Sequence, residues 1–235
     1  MAAPKKTTRL TTMADMPMQM SEAPQSPAEQ RARYFNSANA FAQLASDVPD
    51  HVFSDEPAAA LNPDAETGFI PCDLSQVLQC AGPATSPLIL ASYAVIRESE
   101  SLTAAFSASA SIWYVIQGDG RTVCKGEEFS WRPGDVFLMP GGGEHQLTAG
   151  REGAVLWLVS DEPGLTFEGL QPPPESDPVT PCVHFPGAEI ERQLEKIYAA
   201  DVGHTAGMAI IFFSDQQAAR RNITPTLTLA MNSLD

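Results

Sequence analysis

The chain has 235 residues, enough for one well-buried core, or for one domain and part of another. Its 29 acidic residues against 14 basic ones give a formal net charge of −15 with no basic stripe, which argues against nucleic acid and anionic membrane surfaces as partners. Four cysteines (Cys72, Cys80, Cys124 and Cys182) form no C-x2-C or zinc-spaced cluster, no apolar run could span a bilayer, and no apolar stretch follows the opening Met-Ala-Ala-Pro-Lys-Lys, so a reduced, cytoplasmic protein is expected.

Residues 1–27 are rich in Met, Thr, Ser, Pro and Gln without a period and read as a loosely attached arm. Ser26 and Pro27 suit the N-cap and first position of a helix, and Tyr34, Ala38, Phe41 and Leu44 would give it one apolar face as far as about Ser46. The rest of residues 28–83 is dotted with Pro and Asp and is expected to wrap the domain that follows. That domain spans residues 84–170. Its strand-like runs are Leu88 to Arg97, Ser111 to Gln117, Arg121 to Lys125, Glu127 to Trp131, Val136 to Met139, Glu144 to Ala149 and Ala154 to Ser160. Gly118-Asp119-Gly120 reads as a tight turn, and Pro133-Gly134-Asp135 as a turn feeding a buried strand. Many short strands at even spacing predict a mainly β barrel or sandwich. Residues 171–187 form a proline-rich linker. Residues 188–235 predict a helix, Ala188 to Ala199, and two strands, Gly207 to Phe213 and Thr224 to Met231. The second of these echoes Ser86-Pro-Leu-Ile-Leu-Ala91, as if a second barrel began there. An isolated strand pair is marginal in water, so these strands must pair or pack elsewhere.

One segment carries more information than the rest. Gly134-Asp-Val-Phe-Leu-Met-Pro140-Gly-Gly142-Gly-Glu-His145 has the spacing G-x5-P-x-G-x2-H. The glycines and proline bend the chain so that His145 opens a strand facing one side of the barrel. Trp113, Tyr114, Trp131 and Trp157 read as core and wall. Glu144 reads as solvated, and His51, His184 and His204 fall in loop-like contexts without an evident partner. No G-x-S-x-G, P-loop or G-x-G-x-x-G followed by a helix is present.

The motif at Gly134–His145 resembles the second motif of the cupin β-barrels. With Ile112–Gly120, Phe129–Asp135 and Ala154–Pro163 it is similar to the bicupin gentisate, salicylate and hydroxynaphthoate 1,2-dioxygenases. The resemblance implies a cupin jelly-roll barrel with an N-terminal helix and extra flanking strands. It also implies where a metal site would stand. Counting back from Gly118, the family's glutamate falls on Ser111, and its two histidines fall on Ala105 and Ser107, or on Ala104 and Phe106. Only His145 survives, and one imidazole makes no specific site for a metal that needs about three protein ligands.

The chain is therefore expected to be the metal-free half of a bicupin, inactive alone, with Fe(II) confined to a second cupin if one exists. Expected partners are further copies of the chain, through strand and N-terminal helix contacts, and a small aromatic acid. His145, Ser107, Ser109, Ser111, Trp113 and Arg97 are the pocket candidates, Arg97 because it could meet a carboxylate bidentately. One alternative is a metal-free cupin that binds an aromatic acid or sugar in an interior of small residues, Ala104 to Ser109. Another is a metal-independent cupin isomerase, which would need a base–acid pair around His145.

Overall fold

The computed structural model describes residues 16–34, 36, 48–200 and 209–232, in two compact units, 1–47 and 48–235. In the first, β1 (Gln19–Met20) pairs antiparallel with β2 (Arg33–Tyr34) around α1 (Pro27–Arg31). Ser26 caps α1 by accepting from Glu29 N, and Pro27 opens it. The helix stops at Arg31 because Ala32 is extended, so Tyr34 lies on a strand and not on the helical face anticipated to Ser46. Ala38, Phe41 and Leu44 lie outside the described residues.

The second unit is built on two long strands, β6 (Ala110–Cys124) and β9 (His145–Ser160). They join an antiparallel sheet with β3 (Gly68–Pro71), β4 (Leu90–Ile96), β8 (Val136–Pro140) and β10 (Val183–Phe185), in the order β10-β8-β6-β9-β4-β3. Two further strands, β5 (Ser101–Ala104) and β7 (Glu127–Trp131), pair with β9 and β6. β5 meets only the first residues of β9, and β7 only the last residues of β6. The long strands thus each serve two layers, and between the layers they bend.

The bend lies at the predicted Gly118–Gly120 turn, which is instead a bulged passage within one strand. The β6–β9 register shifts between Val115 and Gln117 and again between Gly118 and Gly120. Gly118 has φ +78, and a Cβ there would lie 1.9 Å from the Gly153 carbonyl oxygen, so only glycine lets the strands cross this closely. The shift changes which residues point inward. Before the bend Ser111, Trp113 and Val115 are buried inside; after it, Thr122 and Cys124 are.

Trp113, Phe137, Met139, Leu156 and Leu158 from one layer meet Leu102, Trp131 and Leu147 from the other in a single core. The core is where most of the apolar stabilisation arises, each large side chain contributing about 1.5–3 kcal/mol on burial. The outer face of the larger layer is covered too. α2 (Asp55–Ala60) puts Ala60 against Val95 and Val155. α5 (Gly187–Ala199) and the hairpin β11 (Ala209–Phe212)–β12 (Leu229–Asn232) put Ile190 and Phe212 against Ile112, Val136 and Leu138. Two short helices, α3 (Ser75–Leu78) and α4 (Glu162–Glu168), and a 3-10 turn, Asp215–Gln217, complete the regular elements among the described residues.

The sequence reading therefore needs several corrections. β3, in the stretch expected only to wrap, pairs with β4. β5 is additional, and the proline-rich linker contains β10, paired with β8. The strands after residue 207 pair with each other and pack on the outside of the barrel. Among the described residues, no helix is long and apolar enough to cross a membrane.

Candidate functional site

His145 opens β9, opposite Ala104 of β5. The β6–β9 register pairs Val123 with Gln146, so the next position along sets Cys124 across from His145. His145 shares the inward face with Leu147 and Ala149 and is 6 % exposed. Its Nε2 is 2.8 Å from the Pro140 carbonyl oxygen, an acceptor only, so Nε2 donates and Nδ1 is left for the Cys124 side. A third group arrives from the proline-rich segment. That segment lies against the glycine run, where a Cβ on Gly142 (φ +79) would sit 1.8 Å from the Pro173 oxygen. It brings the half-buried Cys182 towards Cys124, and Glu175 within electrostatic reach of His145.

These contacts set the protonation pattern. Hydrogen bonding from Cys182, aided by His145, holds the Cys124 thiol down to about 5 despite its burial. The hydrogen bond to Cys124 in turn raises His145. Cys182 is driven upward by sharing its proton with Cys124 and by burial. In the sequence, Cys124 could have faced either way; the register shift at the bend turns it inward.

The remaining candidates divide. Ser111 is buried and accepts from Trp113 Nε1 at 2.8 Å. Trp113 stacks on Phe137 at 5.8 Å and fills the interior. Ser109 hydrogen-bonds through N–H and hydroxyl to the buried Asp161, which also accepts from Thr226. Ser107 is exposed, its N–H donating to Glu162. Arg97 is exposed at the end of β4, in a polar hollow of about 430 Å3 with Gln117 and Arg151. The six candidates therefore do not share one pocket. The run Ala104 to Ser109 is not a row of inward-facing small residues either: Ala104 and Ala108 are buried, while Ala105 and Ser107 are exposed. A separate apolar groove of about 180 Å3 lies on the outer face, between Tyr114, Trp157, Phe212 and Met231.

His184 does have a partner. Its Nε2 is 2.9 Å from Asp135 Oδ2, and its ring stacks on Phe129. Asp135 also accepts from Arg132 N and Gly187 N, so the turn residue of the sequence motif anchors α5. His51 is exposed and meets Phe53 edge-on; His204 lies outside the described residues.

Among the described residues, no group of three or more His, Cys, Asp or Glu side chains could hold a metal ion. Ala104, Ala105, Phe106 and Ser107 offer no side-chain nitrogen or carboxylate, and Ser111 is engaged by Trp113. These residues do not fit the Fe(II) that the resemblance implies.

A two-layered barrel of long, glycine-bent strands, with the motif histidine opening one of them at its mouth, defines a cupin. Residues 98–197 match the AraC-like ligand binding domain. Over 90 residues the chain is 34 % identical to a 5-aminosalicylate 1,2-dioxygenase from Comamonas sp, covering 38 % of this chain and 24 % of that one. The chain thus spans about a quarter of the length of the curated relative it matches. The solved salicylate 1,2-dioxygenase from Pseudaminobacter salicylatoxidans superposes with a TM-score of 0.60 at 17 % identity, over 80 % of this chain and 68 % of that one. A point variant of a salicylate 1,2-dioxygenase gives 0.55 at 17 % identity, over 69 % and 56 %. The barrel thus has the fold of these cupin dioxygenases, and residues 98–197 carry its likeness to a ligand-binding cupin domain.

Proposed function

We propose that this barrel is the scaffolding half of a dioxygenase-like cupin assembly, contributing packing and association rather than ring cleavage. The observation that carries this reading is the content of the barrel interior. Where the resemblance would put ligands, Ser111 accepts from Trp113, Trp113 stacks on Phe137, and the one motif histidine donates Nε2 to a backbone carbonyl. Those groups hold each other and leave no set of donors converging on a shared centre. Association would use the hairpin β11–β12, where Ile211 is 50 % exposed beside the apolar groove. The test is oxygen uptake by the purified chain supplied with Fe(II) and, in turn, gentisate, salicylate and 5-aminosalicylate. The expected rate is that of the buffer control; substrate-dependent oxygen consumption that scales with protein refutes the reading.

A second reading, a small-molecule binding module, is favoured by the match of residues 98–197 to a ligand-binding domain. It predicts a concentration-dependent rise in melting temperature with one member of a panel of aromatic acids and sugars. A flat profile across the panel leaves the scaffold reading standing.

A further inference from the structure

The polar hollow beside the bend lies outside the barrel interior, and the scaffold reading uses none of its groups. Its floor is apolar: Ala60 of α2 packs on Val95 and Val155, and all three are buried. Its rim is charged and comes from two strands that the bend draws together. Ile96 pairs with Ala154, and Ser99 N still donates to the Gly150 carbonyl oxygen at 3.0 Å, so the end of β4 runs beside the middle of β9. Gly153 permits this approach. Its φ is +69, and a Cβ there would lie 2.9 Å from the Ile96 carbonyl oxygen. The close passage carries Arg97 and Glu98 from one strand, and Arg151 and Glu152 from the other, to the edge of one hollow of about 430 Å3.

All four of these residues are exposed, and among the described residues no ion pair or hydrogen bond engages their side chains. Two guanidinium groups offer N–H forks that match a carboxylate. Two carboxylates accept from an ammonium. A simple anion entering the hollow would meet both glutamates as well as both arginines, in a chain of net charge −15, and would be repelled. A ligand that carries both charges meets a complementary group at each end. The buried floor suits a hydrocarbon body, and the volume falls within the range of small-molecule sites. We propose that this hollow binds a free apolar α-amino acid, with its carboxylate on Arg97 and Arg151, its ammonium on Glu98 and Glu152, and its side chain on the floor.

The test is titration calorimetry of the purified full chain with leucine, phenylalanine and methionine in turn. At least one of them should bind saturably, with one equivalent per chain. The amide of that amino acid lacks the carboxylate and its N-acetyl form lacks the ammonium; each should bind at least about tenfold more weakly. Arg97→Gln and Arg151→Gln should each weaken binding about tenfold. Replacing Glu98 and Glu152 together by Gln should remove the preference for the free amine over its N-acetyl form. The four side chains are exposed, so these variants keep the core, which an unchanged unfolding midpoint checks. The proposal is overturned if none of the three amino acids binds, or if the N-acetyl form binds as tightly as the free one, which would make the hollow a plain carboxylate site. It is equally overturned if binding survives both arginine substitutions, which would place the ligand elsewhere.

Discussion

Ser111 and Trp113 carry the proposed scaffold reading at the level of single atoms. The serine hydroxyl stands where the resemblance puts a carboxylate, and it satisfies the indole N–H in the core. Ser111→Ala should cost about 1–3 kcal/mol, the price of a buried donor without an acceptor. Urea denaturation measures it, and a change within error would mean that the bond contributes nothing. The Cys124–His145 pair makes a prediction in pH. Cys124 is lowered, so its contribution is present at and above the ordinary thiol range and is lost as pH falls through about 5. His145 is raised, so its contribution is present at low pH and lost as pH climbs through its raised value. Thiolate absorbance in the ultraviolet should therefore persist down to about pH 5 and vanish in Cys124→Ser; a midpoint near an ordinary thiol would contradict the pairing. Much of this was hidden in the sequence. His145 was legible from its glycine and proline spacing, which is local. Its partner was not, because the facing of Cys124 depends on the register shift at Gly118, and Cys182 arrives from a distant segment.

At the scale of elements, Asp135 explains how a turn motif organises a helix. It accepts from Arg132 N, His184 Nε2 and Gly187 N, tying the β7–β8 turn to β10 and to the start of α5. Asp135→Ala leaves those donors without their acceptor and should destabilise the protein by about 2–4 kcal/mol, read by thermal and chemical unfolding. Loss below about 0.5 kcal/mol would show that water replaces the carboxylate at no cost. Most strands of the barrel were legible from runs of apolar and β-branched residues between turn signals. The continuity of β6 and β9 was not, since glycine marks a turn and a bulge alike. His184 looked isolated because Asp135 is far away in sequence, as tertiary partners usually are. The short end of α1 was missed because periodicity through Tyr34 suggested a longer helix, whereas Ala32 takes an extended conformation.

For the whole molecule, the cupin fold was readable from one motif, and the chemistry was not. The same glycine, proline and histidine spacing frames a barrel with a metal or without one, because it specifies a bend and a facing direction and leaves the other ligands to separate positions. The hairpin β11–β12 covers the outer sheet face, so Phe212→Ala should expose Ile112 and Val136 and cost about 3–5 kcal/mol, with loss of cooperative unfolding as the readout. An unchanged midpoint would mean that the hairpin is not part of the barrel's core. The central claim, that this barrel scaffolds and does not hold a catalytic metal, is tested most directly by anaerobic equilibrium dialysis of the purified chain against Fe(II). The account predicts far less than one equivalent of iron retained per chain. One tightly held equivalent, lost in His145→Gln, would contradict it.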